Sequence, residues 1–158
     1  MTSAIFALAD DYVGALAELD PAVATAYGIP VGQDRLTDHA PGAQGERADL
    51  AAATLAALEA MPETGEDDRV AAAVMRERLT TWLGLHEAGE GLRELNALDG
   101  APATTRATFD LTPTGSAAEQ EQALARLQAV PAALGSWREA LAEGRRGGLL
   151  AARRQALA

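Results

Sequence analysis

The 158-residue sequence lacks cysteine and is poor in aromatic residues. Without cysteine, the chain can form no disulfide and offers no thiolate ligand or cysteine nucleophile, and its redox compartment stays open. Aromatic residues make up only 4% of the chain, whereas alanine, the strongest helix former, makes up about a quarter. This composition predicts an all-α protein in which small side chains let helices approach closely.

The sequence also lacks an excess of positive charge and any long apolar run. Its 13 basic and 23 acidic residues give a net charge of −10, whereas nucleic-acid binding needs a dense positive surface. No stretch approaches the roughly 20 apolar residues of a membrane span. Asp10 and Asp11 interrupt the first apolar run before it could serve as a signal sequence. We therefore expect a cytoplasmic protein with no nucleic acid and no membrane as partner.

Apolar periodicity and capping residues predict four helices in the first part of the chain. The first contains Ile5 and Leu19, and Asp20-Pro21 opens a short second helix that Gly28 ends. The third is predicted over residues 46–60. The fourth, predicted to be the longest, opens at the capping box Thr64-x-x-Asp67 and ends at Gly89 and Gly91. Its predicted apolar face consists of Val70, Val74, Leu79, Trp82 and His86.

Two more helices are predicted in the second half. Ser116-x-x-Glu119 is a capping box that opens one helix, and Pro131 starts another that Gly144 ends. Turn residues predict long loops over 29–45 and 92–115. Segment 149–158 looks helical but has no stop signal, so we expect the natural chain to continue beyond it. The expected fold is an all-α, irregular multi-helix array of about six helices with two long loops, forming a single domain over residues 1–158.

Neither histidine has the companions that a zinc site requires. His86-Glu87 begins like the His-Glu-x-x-His motif of zinc peptidases, but Glu90 stands where the second histidine should be. His39 lies near Asp34 and Asp38 in a polar segment that lacks a third matching ligand. We expect a packed His86, a solvated His39 and no metal ligand in this chain.

Other reactive side chains do not form a recognisable catalytic pattern either. Asp10 and Asp11 are adjacent, so a helix would point them in different directions. The arginine pairs 145–146 and 153–154 could bind an anion, but pairing with nearby acids and helix ends explains them more simply. No serine stands in a Gly-x-Ser-x-Gly motif; the serines are Ser3, Ser116 and Ser136. We therefore expect no catalytic, cofactor-binding or metal residue.

Several segments, taken in order, resemble the amino-terminal region of the bacterial family known as domain of unknown function eight-eight-five. The segments are Asp20-Pro21-x-x-Ala24-Thr25-x-x-Gly28-Ile29-Pro30, Asp34-Arg35-Leu36-Thr37-Asp38, Leu95-Asn96, Phe109-Asp110-Leu111-Thr112-Pro113-Thr114, Arg126-Leu127-x-x-Val130-Pro131-x-x-Leu134, Gly144, Gly148 and Arg153-Arg154-Gln155. The resemblance covers nearly all of this chain but only the first part of the family's longer polypeptide.

This resemblance implies a mostly helical protein similar to zinc metallopeptidases. The family's metal signature, a His-Glu stretch followed by Pro-Gly-His-His, lies beyond the region matched here, so no catalytic residue carries over. Zinc and a peptide substrate are expected only in a full-length member. The implied role of this chain is a non-catalytic helical scaffold that walls the substrate cleft. Its partners would be the rest of its own longer chain or a second copy.

Two alternatives remain open from the residues themselves. The amphipathic helices and acidic surface would also suit a stand-alone protein-interaction module that binds through its two long loops. A self-contained hydrolase would have to rely on carboxylates such as Asp34, Asp38 or Asp110. The interaction module needs only an exposed binding surface, whereas the hydrolase needs a catalytic site.

Overall fold

The computed structural model describes residues 3–96, 98 and 100–156. The helices run in the order α1 (Ala4–Leu19), α2 (Pro21–Ala26), α3 (Pro41–Glu59), α4 (Glu66–Glu87), a 3₁₀-helix (Glu90–Leu92), α5 (Ala101–Asp110), α6 (Ala117–Arg146) and α7 (Arg153–Ala156). No strand occurs in these residues. The predicted all-α, multi-helix fold is confirmed.

The first two helices begin and end where local chemistry predicts. Ser3 Oγ accepts a hydrogen bond from the Phe6 amide at 3.3 Å and caps α1. Asp20 ends α1 and caps α2, because its Oδ1 accepts from the Ala22 amide at 3.1 Å. Gly28 then adopts a φ of +69°, which turns the chain away from α2.

The main apolar cluster lies where α1, α3 and α4 pack together. Ile5, Leu58 and Ala72 are almost completely buried in it, with Met61 and Met75 packed at its edge. Alanines supply much of the remaining buried surface of the molecule. Because an alanine side chain is a single methyl group, helices lined by alanine can approach closely, as the composition predicts.

The buried face of α4 differs from the predicted one. Val70 and Val74 are 54% and 55% exposed, whereas Ala72 and Leu79 are buried. Trp82 and His86 continue the stripe of Ala72 and Leu79 at helical spacing, and both lie partly buried. The valines lie on the opposite side of the helix. The prediction was therefore wrong to assign them to the same face as Leu79, Trp82 and His86.

Two predicted helix starts also need correction. Helix α3 begins at Pro41, five residues before the predicted start, because proline suits the first turn of a helix. Helix α4 has Gly65 as its N-cap, with no side-chain cap, so the predicted capping box is wrong. Thr64 instead donates its amide to the buried Asp68 carboxylate at 3.2 Å, and Asp68 lies one residue beyond the expected Asp67.

The two helices predicted on either side of Pro131 form one continuous helix, α6, which is longer than α4. Its capping box at Ser116 and Glu119 is confirmed. Pro131 cannot donate to the carbonyl of Leu127, but both residues are exposed, so water can satisfy that carbonyl. Gly144 does not end the helix. It lies inside α6, where a Cβ would collide with the carbonyl oxygen of Leu92.

Helix α5 occupies the segment predicted to be the second long loop. In and just after this helix, threonine hydroxyls donate to backbone carbonyls one turn back. Thr108 Oγ1 donates to the Thr104 carbonyl at 2.9 Å, and Thr112 Oγ1 donates to the Thr108 carbonyl at 2.8 Å. Thr108 can therefore be buried, and Thr105 is buried as well. The first predicted loop is confirmed but shorter, since α3 begins at Pro41.

The carboxyl-terminal segment is only partly helical. Residues 149–152 are not helical and α7 covers four residues, so the prediction of a helix from position 149 is wrong for its first turn. Positions 157 and 158 lie outside the described residues. Within the described part of the chain, no helix combines the length and the apolar content needed to cross a membrane.

Adding a methyl group at Gly144 should destabilise the fold because α6 touches the 3₁₀-helix there. We expect Gly144→Ala to lower the free energy of unfolding by about 1–3 kcal/mol. Gly135→Ala, on the same helix with nothing within 4 Å of the new Cβ, should raise it by about 0.5–1 kcal/mol. Urea denaturation followed by circular dichroism measures both. Equal effects of the two changes would contradict the proposed close contact.

Candidate functional site

A fully buried arginine, Arg126 of α6, joins four separate parts of the chain. Its Nε donates to the Arg35 carbonyl at 3.0 Å and its Nη1 to Thr112 Oγ1 at 2.7 Å. Its Nη2 donates to Thr25 Oγ1 at 3.0 Å and to the Gly32 carbonyl at 3.3 Å. These bonds connect α6 to α2, to the loop before α3 and to the α5–α6 connection.

No carboxylate of the described residues lies within 4 Å of the Arg126 guanidinium. Burial lowers its pKa, and the charge of Asp34 acts in the opposite direction. An arginine stays charged in proteins because its ordinary pKa is so high. Carbonyl and hydroxyl dipoles therefore carry the stabilisation of this buried charge. Four of the segments that resemble the family contribute to it, through Thr25, Arg35, Thr112 and Arg126.

Next to this framework lies an open cleft of about 860 Å³. Its walls contain both tryptophans and both histidines of the chain: Trp82, Trp137, His39 and His86. The Trp82 and His86 rings stack at 5.9 Å between centroids, with 11° between their planes. Trp137 Nε1 donates to the Glu94 carbonyl at 2.9 Å, which fixes the indole at the edge of the cleft.

Polar side chains gather at the end of the cleft near the start of α3. The Asp20 carboxylate accepts from Thr37 Oγ1 at 2.5 Å while it caps α2. The His39 amide donates to Ser136 Oγ at 2.9 Å, and Gln44 Nε2 donates to the His39 carbonyl at 2.7 Å. These bonds hold the backbone of His39, which lines the cleft.

Arg47 forms the cationic part of this polar end. It is only 8% exposed, lines the cleft, and donates from Nη1 to the Asp38 carbonyl at 3.0 Å. Burial lowers the pKa of His39 and the Arg47 charge lowers it further, while Asp20 and Asp38 raise it less. Because its pKa lies below the ordinary value, His39 gives up its proton more readily than a solvated histidine.

The described residues do not fit a zinc centre. No group of three or more histidine, aspartate or glutamate side chains in this part of the chain could hold a metal ion, whereas catalytic zinc takes three protein ligands. His86 stacks on Trp82 rather than standing beside a second imidazole. His39 lies in the cleft wall, more buried than the predicted solvated histidine.

The carboxylates of the hydrolase alternative are not brought together in the cleft. Asp38 Oδ1 caps the Ala40 amide at 2.8 Å, and Asp110 pairs with Arg106 at 3.3 Å. Asp34 is exposed. None of these three carboxylates lines the cleft among the described residues.

The remaining candidates have local structural contacts. Ser136 Oγ accepts from His39 and donates to the Ala133 carbonyl at 2.9 Å. Asp10 and Asp11 are exposed on α1. Arg146 pairs with Glu143 inside α6, and the second arginine pair lies exposed in α7. The sequence did not predict the roles of Arg47 and Arg126, because nothing in the local sequence distinguishes a buried arginine from an exposed one.

An aromatic-walled cleft beside a buried-arginine framework defines an all-helical protein with a ligand-sized groove. The chain belongs to the family described as Bacterial protein of unknown function (DUF885), whose family model matches residues 21–158. The match begins at Pro21, immediately after the Asp20 cap. A comparison with curated proteins finds no match. The resemblance expected from the sequence is thereby confirmed at the level of the family, and its metallopeptidase-like character stays a prediction.

Removing the buried guanidinium should weaken the whole fold. We expect Arg126→Met to lower the free energy of unfolding by about 2–5 kcal/mol, since it removes the donor of the buried hydrogen bond to Thr25 Oγ1 and of the bonds to the Gly32 and Arg35 carbonyls. Arg138→Met changes an exposed arginine of the same helix and should stay within about 0.5 kcal/mol of the wild type. Urea denaturation measures both values. Similar losses in the two variants would contradict the framework role.

Acid should destabilise the protein through His39. Its pKa is lowered in the folded state, so the unfolded chain binds the proton first as the pH falls. The stabilisation is complete above the unfolded value of 6.5 and is lost as the pH falls from there toward the folded-state pKa. Denaturation at several pH values between about 7 and 5 should show a slope that His39→Gln reduces. An unchanged slope in the variant would refute this assignment.

Proposed function

We propose that this chain is a non-catalytic helical scaffold of a metallopeptidase-like protein, and that its cleft forms one wall of a peptide-binding site. The observation that carries the proposal is the concentration of both tryptophans and both histidines on one cleft. Aromatic side chains are scarce in this chain, and ligand sites typically combine aromatic walls with a few polar groups. The cleft has both.

The arrangement suits an extended peptide better than a compact polar ligand. Flat rings from α4 and α6 offer apolar surface, and the non-helical residues 150–152 also line the cleft. A cleft open along its length can accept a chain that enters and leaves. The buried Arg126 network supports the proposal because it holds α2 and α6 beside the cleft without contributing to its surface.

The alternative, a stand-alone acidic interaction module, has one observation in its favour. A second groove of about 380 Å³ lies beside the cleft and shares Trp82 and Leu85 with it. Both tyrosines of the chain, Tyr12 and Tyr27, line this groove. Tyr27 and Leu85 are 68% and 51% exposed. Such a surface would suit a helix of a partner protein.

Peptide binding without hydrolysis tests the scaffold proposal. We expect N-acetyl-alanyl-phenylalaninamide, a short uncharged peptide, to change the tryptophan fluorescence of the protein in a saturable manner. Trp82→Ala should weaken this binding by about tenfold or more, because it removes one aromatic wall. Val74→Ala, an exposed position on the same helix outside the cleft, should leave the affinity unchanged.

The same peptide reports on catalysis. Mass spectrometry should find it intact after incubation with the protein and added zinc. Cleavage that depends on the protein, or one equivalent of zinc retained after dialysis against a chelator, would overturn the scaffold proposal. A stable monomer that binds no peptide but binds a defined partner protein, with this binding lost in Tyr27→Ser, would favour the interaction module instead.

A further inference from the structure

We propose that Arg47 anchors the carboxyl-terminal carboxylate of a bound peptide at the polar end of the cleft. This inference rests on the proposed peptide-binding function and names the part of the peptide that the cleft recognises. It assigns to Arg47 the role of a binding residue.

The hydrogen bonding of Arg47 leaves most of its donors available. A guanidinium carries five N–H donors, and within the described residues that of Arg47 has one hydrogen bond, to the neutral Asp38 carbonyl. Its guanidinium takes part in no ion pair within 4 Å in this part of the chain. Every fully buried polar side-chain atom described has a partner, so the unbonded nitrogens of Arg47 are not fully buried, and the cleft is the space that Arg47 lines.

The other arginines near this site are saturated. Arg126 donates from all three of its nitrogens to five acceptors. Arg93, which also lines the cleft, forms an ion pair with Glu90. Arg47 alone combines near-complete burial with free donors facing the cleft among the described cleft residues. A buried cation without a counterion favours binding an anion from solution.

The planar fork of an arginine matches a carboxylate, with two parallel hydrogen bonds. Next to Arg47, the imidazole of His39 has a lowered pKa, so at neutral pH it adds no second full charge and offers a neutral hydrogen-bonding group. Asp20 also lines this end, but its Oδ1 already accepts from Thr37 and from two amides of α2. A single added carboxylate therefore meets one unpaired cation.

The rest of the cleft fits the body of a short peptide. Its volume of about 860 Å³ lies within the range of sites that bind drug-sized molecules. From the Arg47 end, the walls continue to the stacked pair of Trp82 and His86 and to Trp137. A peptide held by its carboxylate at Arg47 would lay its last side chains against these rings.

Two matched peptides test the proposal: N-acetyl-alanyl-phenylalanine and its carboxamide, which differ only in the terminal charge. We expect the wild-type protein to bind the acid at least about tenfold more tightly than the amide, as measured by calorimetry. The only two indole N–H signals in a proton–nitrogen NMR spectrum, from Trp82 and Trp137, should shift on binding. Arg47→Gln should bind both peptides equally, and the exposed Arg69→Gln should behave as wild type.

Each outcome decides between the proposals. Equal binding of acid and amide to the wild type, or preference for the acid retained in Arg47→Gln, overturns the carboxylate anchor but leaves peptide binding intact. No binding of either peptide overturns both proposals. Should 3-phenylpropionate bind as tightly as the acetylated dipeptide, the anchor stands and the ligand is a small acid rather than a peptide. Because the wild-type comparison needs no variant, a misfolded Arg47→Gln protein does not prevent the test.

Discussion

The charge of Arg126 has to be stabilised without a carboxylate, and this requirement determines how half of the chain is arranged. Five acceptors surround the guanidinium, and they come from α2, the loop before α3 and the α5–α6 connection. Each acceptor is a carbonyl, hydroxyl or amide oxygen, so each segment must approach in a defined orientation. If one segment moved away, a buried donor of a charged group would lose its partner. The irregular loop is therefore as constrained as the helices.

Small residues provide the second constraint, because they let backbones meet where side chains usually separate them. Gly144 brings α6 against the backbone at Leu92, at the end of the 3₁₀-helix. The chain that follows Leu92 then passes Trp137, whose indole binds the Glu94 carbonyl. A Cβ at position 144 would collide with the Leu92 carbonyl oxygen. The absence of a side chain at this glycine therefore permits the contact between α6 and the segment that binds the Trp137 indole.

Local chemistry made part of this structure predictable. Capping by Asp20 and Ser116 depends on neighbours in sequence, and both of these helix starts were predicted correctly. Prediction failed where distant contacts override local preference. Pro131 has the local preference of a helix start, yet it lies within α6 because packing on both sides keeps the helix continuous.

The failure at α5 has a different cause. Its sequence, Ala-Pro-Ala-Thr-Thr-Arg-Ala-Thr-Phe-Asp, contains few large apolar residues, so it shows no apolar stripe. Threonines form much of its buried face instead, and Thr108 can do so because its hydroxyl donates to the carbonyl of Thr104, one turn back. The cleft was equally invisible in the sequence, since its walls come from positions 39, 82 and 137, far apart along the chain. Such a site exists only after long-range packing has formed.

Arg47 and Arg126 show how the surroundings of one residue type separate structure from binding. Both are buried, and neither has a carboxylate within 4 Å among the described residues. Protein groups accept hydrogen bonds from all three nitrogens of Arg126, so this guanidinium stabilises the fold and has no nitrogen left for a ligand. The Arg47 guanidinium has one protein acceptor and faces a cleft, so water must complete its hydrogen bonds in the free protein. Water is displaced more easily than a protein carbonyl. The energetic cost of burying Arg47 is therefore offset most fully when an anion replaces that water. This difference from Arg126 makes the polar end of the cleft a binding site rather than a structural contact.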